Sequence, residues 1–354
     1  MKIAFTADLH LTTRQDHPDR YLAFESILQQ MQREEIDHLV IAGDLFDSHR
    51  LQYSEFDHIC KDPYYRDISV VLLPGNHDPN LSPKAFTAPN VYVITEPQIR
   101  TFGQSGLPFL MIPYQDGCTM GEVIAPFTSD LNGRRWILVG HGDWIEGMRH
   151  PNPAEPGVYM PLTRPDIETF QPVCTILGHI HKPSDQSRVM YTGSPCPLDI
   201  TETGRRRFLV CDSETGEIAS QTIEAGPIFF DESFTILPEE DEEAFLQERI
   251  TSRLSAWDLS EPEKARTTIR VKVNGVSSDK RRLAETVRQG FAGFTWYQDQ
   301  GPDLSDAILG DDPERAEIVR RVARKLTTLP WPGGEDQPTS SEIFTAAIDV
   351  IYGR

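Results

Sequence analysis

Five short polar segments, each directly behind an apolar run, constrain this chain more than anything else in its sequence. They are Asp8-Leu9-His10, Gly43-Asp44, Gly75-Asn76-His77-Asp78, Gly140-His141 and Gly178-His179-Ile180-His181. The runs before them read as strands over residues 3–7, 39–42, 70–73, 136–139 and 175–177, and further runs lie at 91–94, 109–112, 189–191 and 208–211. The early runs are unbroken apolar, as expected of strands covered on both faces. Between the first two, Tyr21, Phe24, Ile27, Leu28 and Met31 share one face of a helix over residues 20–35. Strand, helix, strand implies a layered α/β domain. The later runs are more hairpin-like, with turns such as Ser213-Glu214-Thr215-Gly216. In open α/β sheets, sites collect outside the carboxyl ends of strands. The glycines let the backbone turn sharply there, so that the next side chain faces the crevice.

The residue types are those of a metal site. Imidazole and carboxylate together suit manganese, iron or zinc. No thiolate takes part, which disfavours a structural zinc site. The five cysteines are scattered and form no close pair, so a disulfide framework is disfavoured as well. Asp8, His10, Asp44, Asn76, His141, His179 and His181 make seven candidate ligands. With one carboxylate shared, they would give each of two ions four contacts. Two ions about 3.5–4 Å apart lower the pKa of a bridging water and clamp the phosphoryl oxygens of an in-line displacement. His77, next to Asn76, is placed to give a proton to the leaving oxygen or to stabilise the transition state. Asp47 and Asp78 could orient neighbouring histidines. One His or Asp at a strand end is ordinarily structural, but five such segments in order are not explained that way.

At 354 residues the chain has room for about two domains. With 34 basic and 54 acidic residues its formal charge is −20, which disfavours a basic nucleic-acid coat protein but not an enzyme acting on nucleic acid. No apolar run approaches the roughly 20 residues of a membrane span. Residues 1–8 turn polar too soon for a signal peptide, so a cytoplasmic location is expected. Composition shifts near Ala225-Gly226-Pro227, which sets the expected boundaries at residues 1–226, 227–303 and 304–354. The run Glu239-Glu240-Asp241-Glu242-Glu243 reads as a solvated, acidic helix start. A helix over 243–256, a strand over 268–273, a helix over 279–291 and a strand over 294–298 make a small α+β module. Two helices follow around Pro330-Trp331-Pro332-Gly333-Gly334. The first starts at Pro313 behind Asp311 or Asp312. The second starts near Ser340 or Ser341 and carries an apolar stripe of Ile343, Ala346, Ala347, Val350 and Ile351.

The order D-x-H, G-D, G-N-H-D, G-H, G-H-x-H resembles the signature of the calcineurin-like metallophosphoesterases. The resemblance implies a layered β-sandwich flanked by helices, with Asp8, His10, Asp44 and His181 on one metal. It puts Asp44, Asn76, His141 and His179 on the other, Asp44 bridging and His77 as the catalytic histidine. Within that superfamily the chain looks most like SbcD-type DNA repair exonucleases. Gly43-Asp44-Leu45-Phe46-Asp47, the segment Tyr191-Thr192-Gly193-Ser194-Pro195-Cys196-Pro197-Leu198 and the order of elements in a DNA-capping-like module carry that likeness. Some members have a second catalytic histidine where Asp47 stands. The likeness implies two divalent ions, manganese being the family's usual choice, and double-stranded DNA ends as substrate in end processing and repair. It also implies an SbcC-type coiled-coil ATPase partner bound through the C-terminal helices, a homodimer and no membrane. Arg266, Arg270, Lys272, Lys280, Arg281, Arg282 and Arg288 read equally as phosphate contacts or as solvated faces. A small-substrate phosphodiesterase of the cyclic nucleotide type is the first alternative, and a non-catalytic scaffold subunit is the second.

Overall fold

Strand Lys2–Thr6 shows why the first domain is layered. Its side chains alternate, Ile3 and Phe5 entering one core and Ala4 another. In the computed structural model, which describes residues 1–47, 53–145, 157–186, 188–236, 241–310, 312–329, 338 and 340–353, that strand lies inside a six-stranded sheet. The sheet order is Ile218–Thr222, Arg207–Asp212, Lys2–Thr6, His38–Ala42, Ser69–Leu73, Val91–Val93, the last four parallel. A second six-stranded sheet runs Ser184–Gln186, Val189–Tyr191, Cys174–Gly178, Ile137–His141, Pro108–Met111, Gln98–Thr101, with its four central strands parallel.

The sheets face each other through Phe5, Val40, Val71 and Leu73 on one side and Phe109, Met111, Val139 and Ile176 on the other. Helices Pro18–Arg33 and Tyr53–Lys61 cover the outside of the first sheet. Helices Met120–Ile124 and Arg164–Phe170 cover the second. The result is a helix, sheet, sheet, helix stack. All five apolar residues assigned to the first helix face are buried.

By compactness the chain divides into Met1–Leu198 with Arg205–Pro227, and Asp199–Gly204 with Ile228–Arg354. The second unit has its own parallel sheet, ordered Ile228–Ile236, Thr267–Ser277, Thr295–Trp296, with Ala307–Leu309 beside the long strand. Helices Glu242–Trp257 and Lys280–Gly290 bury Leu246, Ile250, Leu283 and Val287 against Phe234, Val271 and Val273. Strand Ile228–Ile236 is absent from the sequence reading, because the pairs Phe229-Phe230 and Asp231-Glu232 hide its alternation. The strand expected over 294–298 is only Thr295–Trp296, since the chain turns at Gln298 with φ +53°.

Asp312 caps helix Pro313–Thr328, accepting from the Glu314 amide at 2.9 Å. The last helix, Ser340–Tyr352, corrects the expected stripe. Phe344 and Ile348 are buried with Val276, Ile308 and Val319, whereas Ala346 is exposed and Val350 is 81% exposed. The docked face is thus rotated from the one read in the sequence, because the two aromatic residues Phe344 and Tyr352 pack inward with Ile348 and Ile351. Glu239, Glu240, Asp311 and the segment Pro330-Trp331-Pro332-Gly333-Gly334 lie outside the described residues.

Candidate metal centre

Five parallel strands, three from one sheet and two from the other, deliver the candidate ligands. Strand Lys2–Thr6 leads into Asp8 and His10, His38–Ala42 into Asp44, and Ser69–Leu73 into Asn76 and His77. Ile137–His141 ends on His141, and Cys174–Gly178 leads into His179 and His181. The sheets meet at this end, where His141 donates from Nδ1 to the Ala42 carbonyl at 2.9 Å. That bond turns Nε2 toward Asp44 and Asn76.

The loops are strained. Asp8, His10, Asp44 and His179 have φ of +56°, +46°, +50° and +98°. Each such residue costs about 1–3 kcal/mol and persists only where its surroundings hold it. Here the Asp8 amide donates to the Gly43 carbonyl and the His10 amide to the Asp44 carbonyl, both at 3.1 Å. Gly43 has φ +95°, and a Cβ there would lie 2.1 Å from His141 Nδ1. Gly43→Ala is therefore expected to destabilise the protein by roughly 3 kcal/mol or more, from strain and overpacking together. Thermal unfolding of the metal-free protein checks this.

The polar atoms converge. His10 Nε2 lies 3.0 Å from His181 Nε2 and 3.7 Å from Asp44 Oδ2. His141 Nε2 lies 3.2 Å from the same Asp44 oxygen and 2.8 Å from Asn76 Oδ1. His179 Nδ1 is 3.0 Å from Asn76 Oδ1. Among the described residues the groups compact enough to hold an ion are Asp8–His10–His181, His10–Asp44–His77 and Asp8–Asp44–His141. Asp44 therefore sits between two sets of histidine nitrogens.

The electrostatics suit bound cations. Asp8 is fully buried, and burial pushes its carboxyl up to about 6. Its Oδ1 accepts the His179 amide at 2.9 Å, while Oδ2 is buried with no hydrogen-bond partner among the described residues. Burial holds His10 well below the usual imidazole range. Burial also opposes charge on Asp44 and His141, but their mutual attraction prevails: Asp44 is held below the carboxylate range and His141 is raised to about 9. An orphaned carboxylate oxygen and two imidazole nitrogens pointed at each other fit a site built around cations. The donor set of carboxylate, imidazole and carboxamide suits two divalent ions.

His77 borders this cluster. Its ring stands edge-on to His10 at 4.7 Å, its amide donates to Asp44 Oδ1 at 2.8 Å, and Nδ1 lies 3.8 Å from Asp47 Oδ1. Asp78 differs from its expected role. Its two oxygens accept the Gly75 amide at 2.8 Å and the Phe46 amide at 3.1 Å, so it ties two loops together rather than orienting a histidine. Burial, with Asp44 nearby, raises its carboxyl to about 6. A carboxyl raised from 3.8 to about 6 on folding binds its proton more tightly in the native state. Its contribution is fully present below pH 4 and lost as pH rises through 6. Asp78→Asn should remove this slope. The metal-free wild type should gain roughly 2 kcal/mol relative to the variant between pH 6 and pH 4, readable in urea unfolding.

Sequence reasoning missed several supports. Tyr191 donates to the Gly142 carbonyl at 3.0 Å and accepts the Trp144 amide at 2.6 Å. The Ser194 amide donates to the His181 carbonyl at 3.1 Å, so the Tyr191-to-Leu198 segment scaffolds the last histidine loop. Asp143 Oδ1 lies 3.6 Å from His179 Nε2, and its position two residues after His141 was a readable signal. Arg20 and Arg206, which donate to the His10 and His181 carbonyls, carry no such signal, because charged residues in a helix and a strand approach read as surface.

A family model described as calcineurin-like phosphoesterase matches residues 1–188. The SbcD component of the nuclease SbcCD from Staphylococcus epidermidis is 26% identical over 261 residues, 63% of this chain and 68% of that protein. An uncharacterised metallophosphoesterase of Bacillus subtilis, YhaO, is 26% identical over 219 residues, and the match spans about half of its length (51%). Among solved structures, a dimetal phosphatase from Danio rerio is similar over 64% of this chain and 96% of its own, with TM-score 0.39 and 13% identity. GAP50, the anchor in the inner membrane complex of Plasmodium, is similar over 63% of this chain and 89% of its own, with TM-score 0.40 and 13% identity.

Proposed function

The chain belongs to the calcineurin-like phosphoesterase family, a family of metal-dependent phosphoesterases, and from that premise we propose that it is a two-metal phosphodiesterase acting on double-stranded DNA ends, as an SbcD-type nuclease. The observation that carries the chemistry is the convergence of six ligand-type side chains, with Asp44 among them as a seventh, from five strand ends. The likeness to the SbcD component of the SbcCD nuclease supports DNA as the substrate.

Two divalent ions bound here, manganese in this reading, would supply a hydroxide nucleophile at neutral pH and neutralise charge on the phosphoryl group. Asp8, His10, Asp44 and His181 would hold one, and Asp44, Asn76, His141 and His179 the other. The chain's own task is then positioning and proton transfer. Asp47 faces His77 Nδ1, which leaves Nε2 to deliver a proton to the departing oxygen. The backbone bond from His77 to Asp44 fixes the loop that carries the ring beside the candidate ligands. Residues 227–303 would act as the DNA-capping module and residues 304–354 as the docking segment for a coiled-coil ATPase, in a cytoplasmic homodimer. Among the described residues no helix is long and apolar enough to cross a membrane.

The test is incubation of the purified chain with Mn²⁺ and an end-labelled linear duplex, alongside a cyclic nucleotide and an aryl phosphodiester. Shortening of the duplex that chelation stops supports the reading. Aryl or cyclic diester cleavage with the duplex intact transfers the same chemistry to a small substrate. Inertness toward all of them would leave a scaffold.

A further inference from the structure

Two buried arginines stand behind the ligand pair His10 and His181. Arg20, 9% exposed, donates from Nη1 to the main-chain carbonyl of His10. Arg206, 3% exposed, donates from Nη2 to the main-chain carbonyl of His181 and from Nε to the Ser194 carbonyl at 2.8 Å. The residues so held are the two whose Nε2 atoms face each other at 3.0 Å. Burying a guanidinium is costly unless its donors are taken up, so neither arginine is there for packing alone. Arg20 lies in the first turn of helix Pro18–Arg33, where a cation opposes the helix dipole. Its place is explained by what it reaches instead. His10 has a left-handed backbone, and a charged donor on its carbonyl fixes the peptide plane that aims the ring. Arg20 Nη1 also lies 3.9 Å from Asp47 Oδ2, and the other oxygen of that carboxylate faces His77.

We propose that Arg20 and Arg206 are positioning residues that preset the main chain of His10 and His181, so that one of the two metal positions is ordered by buried guanidiniums. Arg20 alone extends this order through Asp47 to His77. The proposal rests on the two-metal reading of the site. The other position is supported differently: His141 is fixed by its bond to the Ala42 carbonyl, and Asn76 Oδ1 lies between His141 Nε2 and His179 Nδ1. The arginines should therefore affect the two positions unequally.

Calorimetric titration of Mn²⁺ into the metal-free full-length chain tests this, with Arg20→Met and Arg206→Met beside wild type. Wild type should show two binding events. In each variant one event should weaken about 10–100-fold, the range for residues that orient a ligand, while the other stays within about twofold. The kcat deficit of Arg206→Met on an aryl phosphodiester should narrow as Mn²⁺ is raised to saturation and its weakened position fills. Arg20→Met should stay about tenfold low with KM unchanged, since its second role lies in the ordering of His77. Far-UV circular dichroism of the metal-free variants separates this from unfolding. If a methionine variant does not fold, Arg20→Lys or Arg206→Lys replaces it, keeping the charge and losing the planar fork, and the same single event should weaken to a smaller degree. Equal weakening of both events, or no change in either, overturns the proposal. Fewer than two events in wild type overturns the two-metal reading itself, and the proposal with it.

Discussion

Asp44→Asn should abolish the response of this protein to Mn²⁺. The Asp44 carboxylate faces His141 Nε2 at 3.2 Å and His10 Nε2 at 3.7 Å, so it serves both candidate positions. A carboxamide keeps the shape and loses the charge that bridges two cations. Ligand binding to the native state alone stabilises by about 2.7 kcal/mol per site at a hundredfold excess over Kd. Wild type should thus melt several degrees higher in Mn²⁺ than in chelator, and Asp44→Asn should melt at one temperature in both. Turnover should fall to background. The metal-free variant should remain folded, because Asp44 Oδ1 accepts the His77 amide at 2.8 Å and an amide oxygen can still do so.

His77→Ala should behave in the opposite way: metal content retained, turnover lost. His77 contributes its backbone amide to Asp44, which alanine preserves, while its ring stands beside the metal cluster with Asp47 behind Nδ1. General acid catalysis by a placed histidine is worth about 10²–10⁴-fold. The loss should be near the upper end for DNA, whose leaving alkoxide needs a proton, and near the lower end for a nitrophenyl diester, whose leaving group does not. Metal analysis and kcat on both substrates check it. A uniform loss on both would assign His77 to transition-state charge rather than to proton transfer.

Much of the fold was legible because buried parallel strands leave unbroken apolar runs. Strands Lys2–Thr6, His38–Ala42 and Ser69–Leu73 fall within one residue of their expected starts. The site was legible because glycine-flanked His and Asp directly after such runs have few other uses. Elements without that contrast were hidden. Helix Tyr53–Lys61 is short, and its buried apolar residues Phe56, Ile59 and Cys60 are interleaved with charge, including the buried Asp57. Strand Gln98–Thr101 is an edge strand with no buried side chain. The bonds of Asp78 to the Gly75 and Phe46 amides are hidden because sequence shows which groups are neighbours, not which backbone amides a folded loop leaves to be capped. The buried arginines were invisible for the same reason: their partners are carbonyls, which every residue has. The C-terminal stripe was rotated because aliphatic spacing alone ignored Phe344 and Tyr352, the residues with most surface to bury.

The five strand ends should hold two cations around Asp44. Anomalous diffraction at the manganese edge, from crystals grown with Mn²⁺, measures this directly. Two peaks about 3.5–4 Å apart are expected, one beside Asp8, His10 and His181, the other beside Asn76, His141 and His179, with Asp44 touching both. A single peak, or peaks away from these side chains, would contradict this.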